Sequence, residues 1–381
     1  MRFPSRKYLY KINSSLMNWW QSMDQSLLYA LICLFCFSIL LVTAASPAAA
    51  GRIGLSEYFF IIRQLMYLAL ASVIIMLISM IDKKTIRRLS VLGFLTSVIL
   101  LILVKFYGFE IKGAKRWISI FGISIQPSEF IKPFFLVLSG WILSIKFEDR
   151  TFPAVSISTI LYLIVAFLLL IQPDVGMLIL TSASWILQVF ISGMPFIIAL
   201  IIMLIGSAGI WLAYNFLPHV AHRINTFLIG DISNNYQVSK SLLAYEKGGI
   251  QGIGPGEGIV KHSLPDSHTD FIFAVAGEEF GSITCMVIAL IFCFIVIKTL
   301  ILTTKQEDYY VALASSGIIS QFAIQAIINM SVTLNLMPTK GMTLPFISYG
   351  GSSIIAMAIN MGIILSFTRK NIKPYQYDFA N

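Results

Sequence analysis

Charged residues are scarce in this sequence: Asp, Glu, Lys and Arg make up 12% of its 381 residues, whereas hydrophobic residues make up 57%. A soluble globular domain carries about 25% charged residues, so the composition excludes that class. Apolar runs of about 20 residues, the length that crosses a bilayer as a helix, recur along the chain. The sequence therefore predicts an all-α polytopic membrane protein.

Cysteine and histidine are equally rare, with four residues of each. All four cysteines lie within apolar runs, where a thiol behaves as a small hydrophobe, so redox and disulfide chemistry are not expected. The histidines all lie between 219 and 268. His219 and His222 have the spacing to share a helix face, but zinc requires further ligands, and a zinc site is only the minor alternative.

Ten apolar segments are predicted to span the membrane. They are 26–46, 58–81, 88–107, 128–146, 155–172, 174–192, 195–216, 279–301, 308–333 and 344–368. The predicted organisation is a cytoplasmic N-terminal segment (1–25), one ten-helix transmembrane domain (26–368) and a cytoplasmic C-terminal tail (369–381). A large extracytoplasmic loop (217–270) separates the seventh and eighth helices.

The net charge of +9 comes from basic residues that are scattered over short loops. A nucleic-acid-binding protein gathers such residues on one face, so no nucleic acid partner is expected. The loops on the same side as the two termini carry the larger share of Lys and Arg. By the positive-inside rule, both termini are predicted to be cytoplasmic.

The most polar stretch, 245–281, contains six glycines between 248 and 258, followed by Asp270, Glu278 and Glu279. Glycine lets a backbone approach a ligand closely, and nearby acids suggest proton transfer or cation binding. Asp270 precedes a run of apolar residues, and an apolar wall raises the pKa of a carboxyl toward that of a general base. We predict that Asp270 is catalytic and that the two glutamates cap the eighth helix at the interface.

Further polar residues lie at the predicted outer ends of helices. Lys132 follows Glu129 by three residues inside a span, where a cation marks either a functional site or a structural ion pair, and both readings remain open. Lys115 and Arg116 resemble a phosphate clamp, with solvated loop charges as the alternative. For Glu129 and Asp174, simple stabilisation of a helix N-terminus is the alternative to a functional role.

Several motifs of this chain resemble those of one family and occur in the same order as in that family. They are GAKRWI, QPSEFIK, QPDVG, LPDSHTDFIFAVAGEEFG and LMPTKGMTLPFISYGGSS. The chain resembles the SEDS proteins, the ten-helix peptidoglycan polymerases, from its first span to Arg369. The PTKG sequence at 338–341 is more similar to the cell-division branch than to the elongation branch. The resemblance implies a glycosyltransferase of the bacterial inner membrane that polymerises lipid II at the septum, with Asp270 as the essential acid.

The resemblance also implies partners and substrate-binding residues. The partners are lipid II, a class B penicillin-binding protein, other divisome membrane proteins and membrane lipids. No resident cofactor is predicted, although a divalent cation (Mg²⁺ or Mn²⁺) is possible at the pyrophosphate. The predicted substrate-binding residues are Lys115, Arg116, Glu129, Lys132, Asp174, His268, Lys340, Ser348 and Ser352.

Two other functions remain open on the sequence. A lipid II flippase would use intramembrane charges such as Lys132 and Arg63 to line a pathway. A non-catalytic division scaffold would use the external loop only to dock its partners. The polymerase is favoured because the polar motifs gather at one predicted face of the membrane.

Overall fold

The computed structural model describes residues 19–111, 114–120, 122–194, 196–216, 221, 225, 227 and 236–370. Within these residues it contains eleven helices of 13 residues or more and one small β-sheet. The helices are α1 (Gln25–Arg52), α2 (Phe59–Ser79), α3 (Lys83–Tyr107), α4 (Pro127–Glu148), α5 (Ala154–Ile171), α6 (Val175–Ile191), α7 (Phe196–Phe216), α8 (Tyr236–Gly248), α9 (Ile272–Thr304), α10 (Tyr309–Thr333) and α11 (Gly351–Phe367).

Every helix except α8 overlaps one of the predicted spans, so the all-α polytopic fold is confirmed. Among the described residues, seven helices (α1 to α5, α9 and α10) are long and apolar enough to cross a membrane, and α6 and α11 are shorter apolar helices of 17 residues. The count of ten crossings and the domain boundaries stay predictions.

Acidic residues fix the starts of several helices, among them α3 and α10. The carboxylate of Asp82 accepts hydrogen bonds from the backbone N–H groups of Lys84 at 3.0 Å and Thr85 at 3.1 Å, where α3 begins. Asp308 accepts one from Tyr310 at 3.0 Å, where α10 begins. A helix leaves these first donors without intrahelical partners. The Thr85 hydroxyl also donates to Asp82, and this bond is the main cause that lowers the pKa of that carboxyl.

Two helices, α4 and α10, form the centre of the bundle. In their most apolar segments 67% and 72% of the residues are buried, against 22–39% in the other five long helices. Gln188 of α6 joins them, because its Nε2 donates to the carbonyl oxygens of Leu136 at 2.8 Å and Leu313 at 2.9 Å. Polar side chains on α4 and α10 are therefore shielded from lipid.

The predicted outer loop around GAKRW folds as an antiparallel sheet of three strands. β1 (Phe109–Ile111) pairs with β2 (Ala114–Ile120), which pairs with β3 (Ile123–Ile125). The pairing of β1 with β2 is irregular at Arg116, since Phe109 lies opposite Trp117 and Glu110 opposite Lys115. Such a β-bulge interrupts the alternation of side chains between the two faces of a sheet. Lys115 is exposed and Arg116 is half-buried, and a clamp built from both cations stays a prediction.

The helix α9 begins at Ile272 rather than at 279 and is broken at Gly281, which has φ 77° and ψ 177°. Its first part, up to residue 280, is a separate short helix whose side chains are almost all buried. A residue with a side chain rarely adopts this positive φ, so glycine permits the break. The break places the short helix beside α8 and the loop that follows it.

Candidate active site

Asp270 lies just before α9 and is half-buried. The amide Nδ2 of Asn329, in α10, donates to the carbonyl oxygens of Asp270 at 2.9 Å and Met342 at 2.6 Å. The Asp270 carboxylate lies against Gly341, because a Cβ added there would stand 2.8 Å from Oδ2. Asn329 therefore holds the Asp270 backbone and the segment 334–350 together.

A cluster of two cations around one carboxylate lies at the same end of the bundle. Lys340 Nζ donates to Asp174 Oδ1 at 3.2 Å, and Arg116 Nε lies 3.9 Å from Asp174 Oδ2. Arg116 also donates to the carbonyls of the two residues before Asp174. Since Asp174 is 2% exposed and both cations are more accessible, the accessible side of the cluster is positive and suits a phosphate group.

The start of α6 explains why this cluster can form. Asp174 accepts a hydrogen bond from the backbone N–H of Met177 at 3.4 Å and so caps the helix. The Lys340 side chain crosses Gly176, where an added Cβ would overlap its Cε. The helix-capping alternative for Asp174 is thus observed, and its substrate-binding role stays a prediction together with those of Arg116 and Lys340.

Glu129 and Lys132 form an ion pair of 2.8 Å on the buried face of α4. Lys132 is fully buried, and its Nζ also lies 3.4 Å from Gln325 Oε1 and 3.4 Å from Met177 Sδ. Gln325 Nε2 in turn donates to the carbonyl of Thr343 at 3.0 Å. The ion pair thereby supports the segment 334–350 through Gln325. Direct contact of Glu129 or Lys132 with substrate stays a prediction.

Ser348 and Ser352 are used for internal contacts. Ser348 Oγ donates to the carbonyl of Thr269 at 2.6 Å and accepts from the N–H of Leu344 at 2.7 Å. Ser352 Oγ accepts from the N–H of Gln126 at 3.1 Å, just before α4. The Ser348 bond positions Thr269, the residue next to Asp270, and the Ser352 bond joins the start of α11 to the start of α4. These internal hydrogen bonds account for both serines without a substrate, and the predicted contact of Ser348 and Ser352 with substrate stays a prediction.

His268 lies in an aromatic group next to the same segment. Its ring centroid is 4.2 Å from that of Phe60 and 5.6 Å from that of Tyr349, and its carbonyl accepts from the Tyr349 N–H at 2.9 Å. Arg63 lies over the Phe59 ring at 4.3 Å. His268 thus packs between α2 and the segment 334–350.

The acids Glu278 and Glu279 hold the glycine-rich loop. Glu278 accepts from the N–H groups of Val260 at 2.6 Å and Lys261 at 2.9 Å. Glu279 accepts from the N–H of Gly256 at 3.1 Å and forms an ion pair with the Lys261 ammonium. Both acids are 1% exposed. The expectation that they cap the eighth helix at the interface is wrong, because their partners lie in the loop 256–261, which includes the start of a short 3₁₀ helix (Val260–His262), and not at the start of α9.

Glycines in this loop provide close packing. A Cβ would overlap the carbonyl oxygen of Gly277 if added at Gly248, that of Glu279 if added at Gly252, and that of Ile250 if added at Gly281. At these positions the backbone presses against the first part of α9. The expected close approach is made to the protein's own backbone.

The steric role of Gly252 is testable against Gly256, which has nearly the same φ (+83° and +87°) but open space where a Cβ would stand. Both substitutions to Ala carry a similar backbone cost, and only Gly252→Ala adds a clash, which costs about 1–3 kcal/mol. We expect Gly252→Ala to accelerate hydrogen exchange of the 256–261 amides well beyond Gly256→Ala. Equal exchange in the two variants would show that the packing does not hold the loop.

Sequence reasoning missed Asn329, Gln325 and Lys261. The first two are amides inside an apolar span, where an unpaired polar group is costly, and that cost was the available signal. Lys261 looked like an ordinary loop cation because its acidic partner is 18 residues away.

The two histidines of the zinc alternative, His219 and His222, lie outside the described residues. In the ranges that the structure describes, no group of three or more His, Cys, Asp or Glu side chains is placed to hold a metal ion.

Comparison with known proteins identifies the family. The sequence model of the cell cycle protein family FtsW/RodA/SpoVE matches residues 24–373. A probable peptidoglycan glycosyltransferase FtsW of Caulobacter vibrioides is 39% identical over 94% of this chain and 92% of its own length. Its counterpart in Bacillus subtilis is 33% identical, with 91% of each chain covered.

Solved structures share the fold. A chain from a peptidoglycan synthase complex superposes with a TM-score of 0.76 at 24% identity, covering 91% of this chain and 98% of its own. The crystal structure of Thermus thermophilus RodA superposes with a TM-score of 0.68 at 24% identity, covering 92% and 97%. The protein is thus an integral membrane protein that belongs to the FtsW/RodA/SpoVE family.

Proposed function

We propose that this protein is a peptidoglycan glycosyltransferase that polymerises lipid II into glycan strands on the outer face of the inner membrane at the division septum. The names of the FtsW relatives support the activity. The carrying observation is that Lys340 and Gly341 are consecutive: one contacts Asp174 in the cationic cluster, and the other lies against the Asp270 carboxylate. A base and an anion site therefore lie side by side.

The proposed step uses this arrangement directly. The Asp270 carboxylate takes the proton from the C4 hydroxyl of the acceptor GlcNAc, whose oxygen attacks C1 of the donor MurNAc. The bond from C1 to the phosphate oxygen breaks with inversion, and undecaprenyl pyrophosphate leaves. Arg116 and Lys340 stabilise the charge on this leaving group. A pyrophosphate leaves without a general acid, unlike the sugar alcohol of a glycosidase reaction.

The other predicted cations take lesser parts. Lys115 is exposed on β2, where it suits an outlying contact with the lipid headgroup. Lys132 reaches a substrate only if its ion pair with Glu129 opens. With the pair closed, Lys132 supports the segment 334–350 through Gln325, and its contact with substrate stays open to test.

The proposed topology has both termini in the cytoplasm. It is supported by the N–H of Lys370, which donates to the carbonyl of Ser22 at 2.8 Å and so brings both ends of the described chain to one side of the bundle. Arg369 binds the carbonyls at the end of α2 on the same side. Asp270 and the cluster lie at the other end, which we place outside.

The proposed partners are a class B penicillin-binding protein, other divisome membrane proteins and membrane lipids. The likeness in fold to a chain of a peptidoglycan synthase complex supports the first of these. The partner is expected to raise activity without supplying the base, since Asp270 belongs to this chain.

The purified protein is expected to polymerise lipid II, more strongly with its cognate penicillin-binding protein than alone. Glycan strands are measured on gels. One arm contains EDTA, because activity should fall on chelation if a divalent cation bridges the pyrophosphate. Movement of lipid II across sealed vesicles is measured in parallel. Transport without strands, even with the partner present, would favour the flippase and overturn the proposal.

A further inference from the structure

A cavity of about 470 Å³ lies at the end of the bundle opposite Asp270. It is enclosed by the start of α3, the end of α4 and the start of α10, whereas the other ends of α4 and α10 carry the contacts to Ser352 and Asp270. The volume is in the range of small-molecule sites. No part of the proposed reaction uses this cavity.

The walls of this cavity carry charges of both signs in equal number. The cations are Lys83, Lys84 and Arg87, and the acids are Glu148, Glu307 and Asp308. Lys83 forms an ion pair with Asp308, which also caps α10. Apart from this pair, the lining contains two cations, Lys84 and Arg87, and two acids, Glu148 and Glu307.

These charges are placed against the local helix dipoles. Lys83 and Lys84 occupy the first turn of α3, where the dipole favours acids, and Glu148 is the last residue of α4, where it favours cations. The positive-inside rule accounts for the lysines. It does not account for Glu148 or Glu307, so the acids point to a ligand with a cationic group.

The remaining lining fits the interface between headgroups and hydrocarbon. The Arg87 guanidinium lies 4.8 Å above the Trp141 ring, which leaves its N–H groups available at the edges. The Tyr309 ring stacks on Phe147 at 4.2 Å, and tyrosine is enriched at membrane interfaces. Tyr310 also lines the cavity, and its hydroxyl is buried with no hydrogen-bond partner among the described residues. A buried hydroxyl normally finds a partner.

From the cavity, its two cations, its two acids and the unpartnered hydroxyl, the geometry points to a site for a zwitterionic aminoethyl-phosphate headgroup, supplied by phosphatidylethanolamine of the adjacent leaflet. The phosphate binds Arg87 and Lys84, and the primary ammonium donates to Glu148 and Glu307. Phosphatidylglycerol lacks the ammonium, and phosphatidylcholine replaces its N–H donors by methyl groups. The site is independent of the proposed polymerase activity.

The test is lipid binding to the full-length protein, measured by native mass spectrometry from detergent with added phosphatidylethanolamine, phosphatidylglycerol or phosphatidylcholine. We expect phosphatidylethanolamine to bind about tenfold more tightly than the other two, the effect of losing one charge-assisted hydrogen bond. Soluble glycerophosphoethanolamine forms a further arm. Its competition supports the headgroup chemistry, and weaker binding than the lipid identifies the membrane as the source.

Matched variants locate the site. Arg87→Gln is expected to weaken phosphatidylethanolamine binding about tenfold, whereas Arg88→Gln, on the neighbouring exposed arginine that does not line the cavity, leaves it unchanged. Glu148→Gln with Glu307→Gln removes only exposed charges, so folding is retained, and it abolishes the preference over phosphatidylglycerol. Equal binding of the three lipids to the unmodified protein, or equal effects of Arg87→Gln and Arg88→Gln, overturns the proposal.

Discussion

Asp270→Asn is expected to lower the rate of lipid II polymerisation by about 10²–10⁴-fold, the usual contribution of a general base. Asparagine has nearly the same shape as aspartate but cannot take the proton from the acceptor hydroxyl. The hydrogen bond from Asn329 is made to the backbone carbonyl of residue 270, so the substitution leaves it in place. Folding and partner binding should therefore persist, and strand formation with the purified protein is the measurement.

Asp266→Asn provides the matched control for this variant. Asp266 lies four residues earlier in the same loop and is also half-buried. It has a positive φ of 53°, a conformation that asparagine adopts readily. We expect polymerisation to remain near the unmodified level. Normal strand length from Asp270→Asn would sink the catalytic assignment, and an equal loss from both variants would point to the loop structure instead.

Lys132→Met is expected to destabilise the protein by about 3–5 kcal/mol, because it leaves the buried Glu129 carboxylate without its cation. Glu129 is 3% exposed, so water cannot replace the lost partner in the present packing. The loss should appear as a lower midpoint of thermal unfolding in detergent, together with weaker activity.

Combining Glu129→Gln with Lys132→Met separates the two roles left open for this pair. Removing both charges is often neutral for stability, so the double variant should recover most of the lost unfolding free energy. If the pair only supports the segment 334–350, polymerisation recovers with stability. A stable double variant without activity would instead show that Lys132 contacts the substrate.

The membrane-spanning helices could be predicted from the sequence because apolar length alone determines them. Their boundaries within the polar regions could not. The short helix before Gly281 has the composition of the span that follows, and only the φ of one glycine separates them. The strands around Arg116 are three to seven residues long, too short for their alternation to stand out in an apolar chain.

The motifs that form the candidate site could be predicted from the sequence, but the contacts between their side chains could not. Asp270 could be selected because its apolar neighbours are adjacent in sequence. The contacts of Arg116 and Lys340 with Asp174 join residues from three distant segments, and no local pattern encodes them. The partners of Glu278 and Glu279 were missed for the same reason, since the loop returns over the helix that follows it.

Four consecutive residues in the segment 334–350 each contact a different part of the protein. Lys340 contacts Asp174, Gly341 lies against Asp270, and the carbonyls of residues 342 and 343 accept from Asn329 and Gln325. Two of the four contacts use only backbone carbonyls, so many exchanges of residue type at 342 leave its contact intact. Inserting or deleting one residue shifts all four together. The length of this stretch is therefore constrained more tightly than the type of residue at 342.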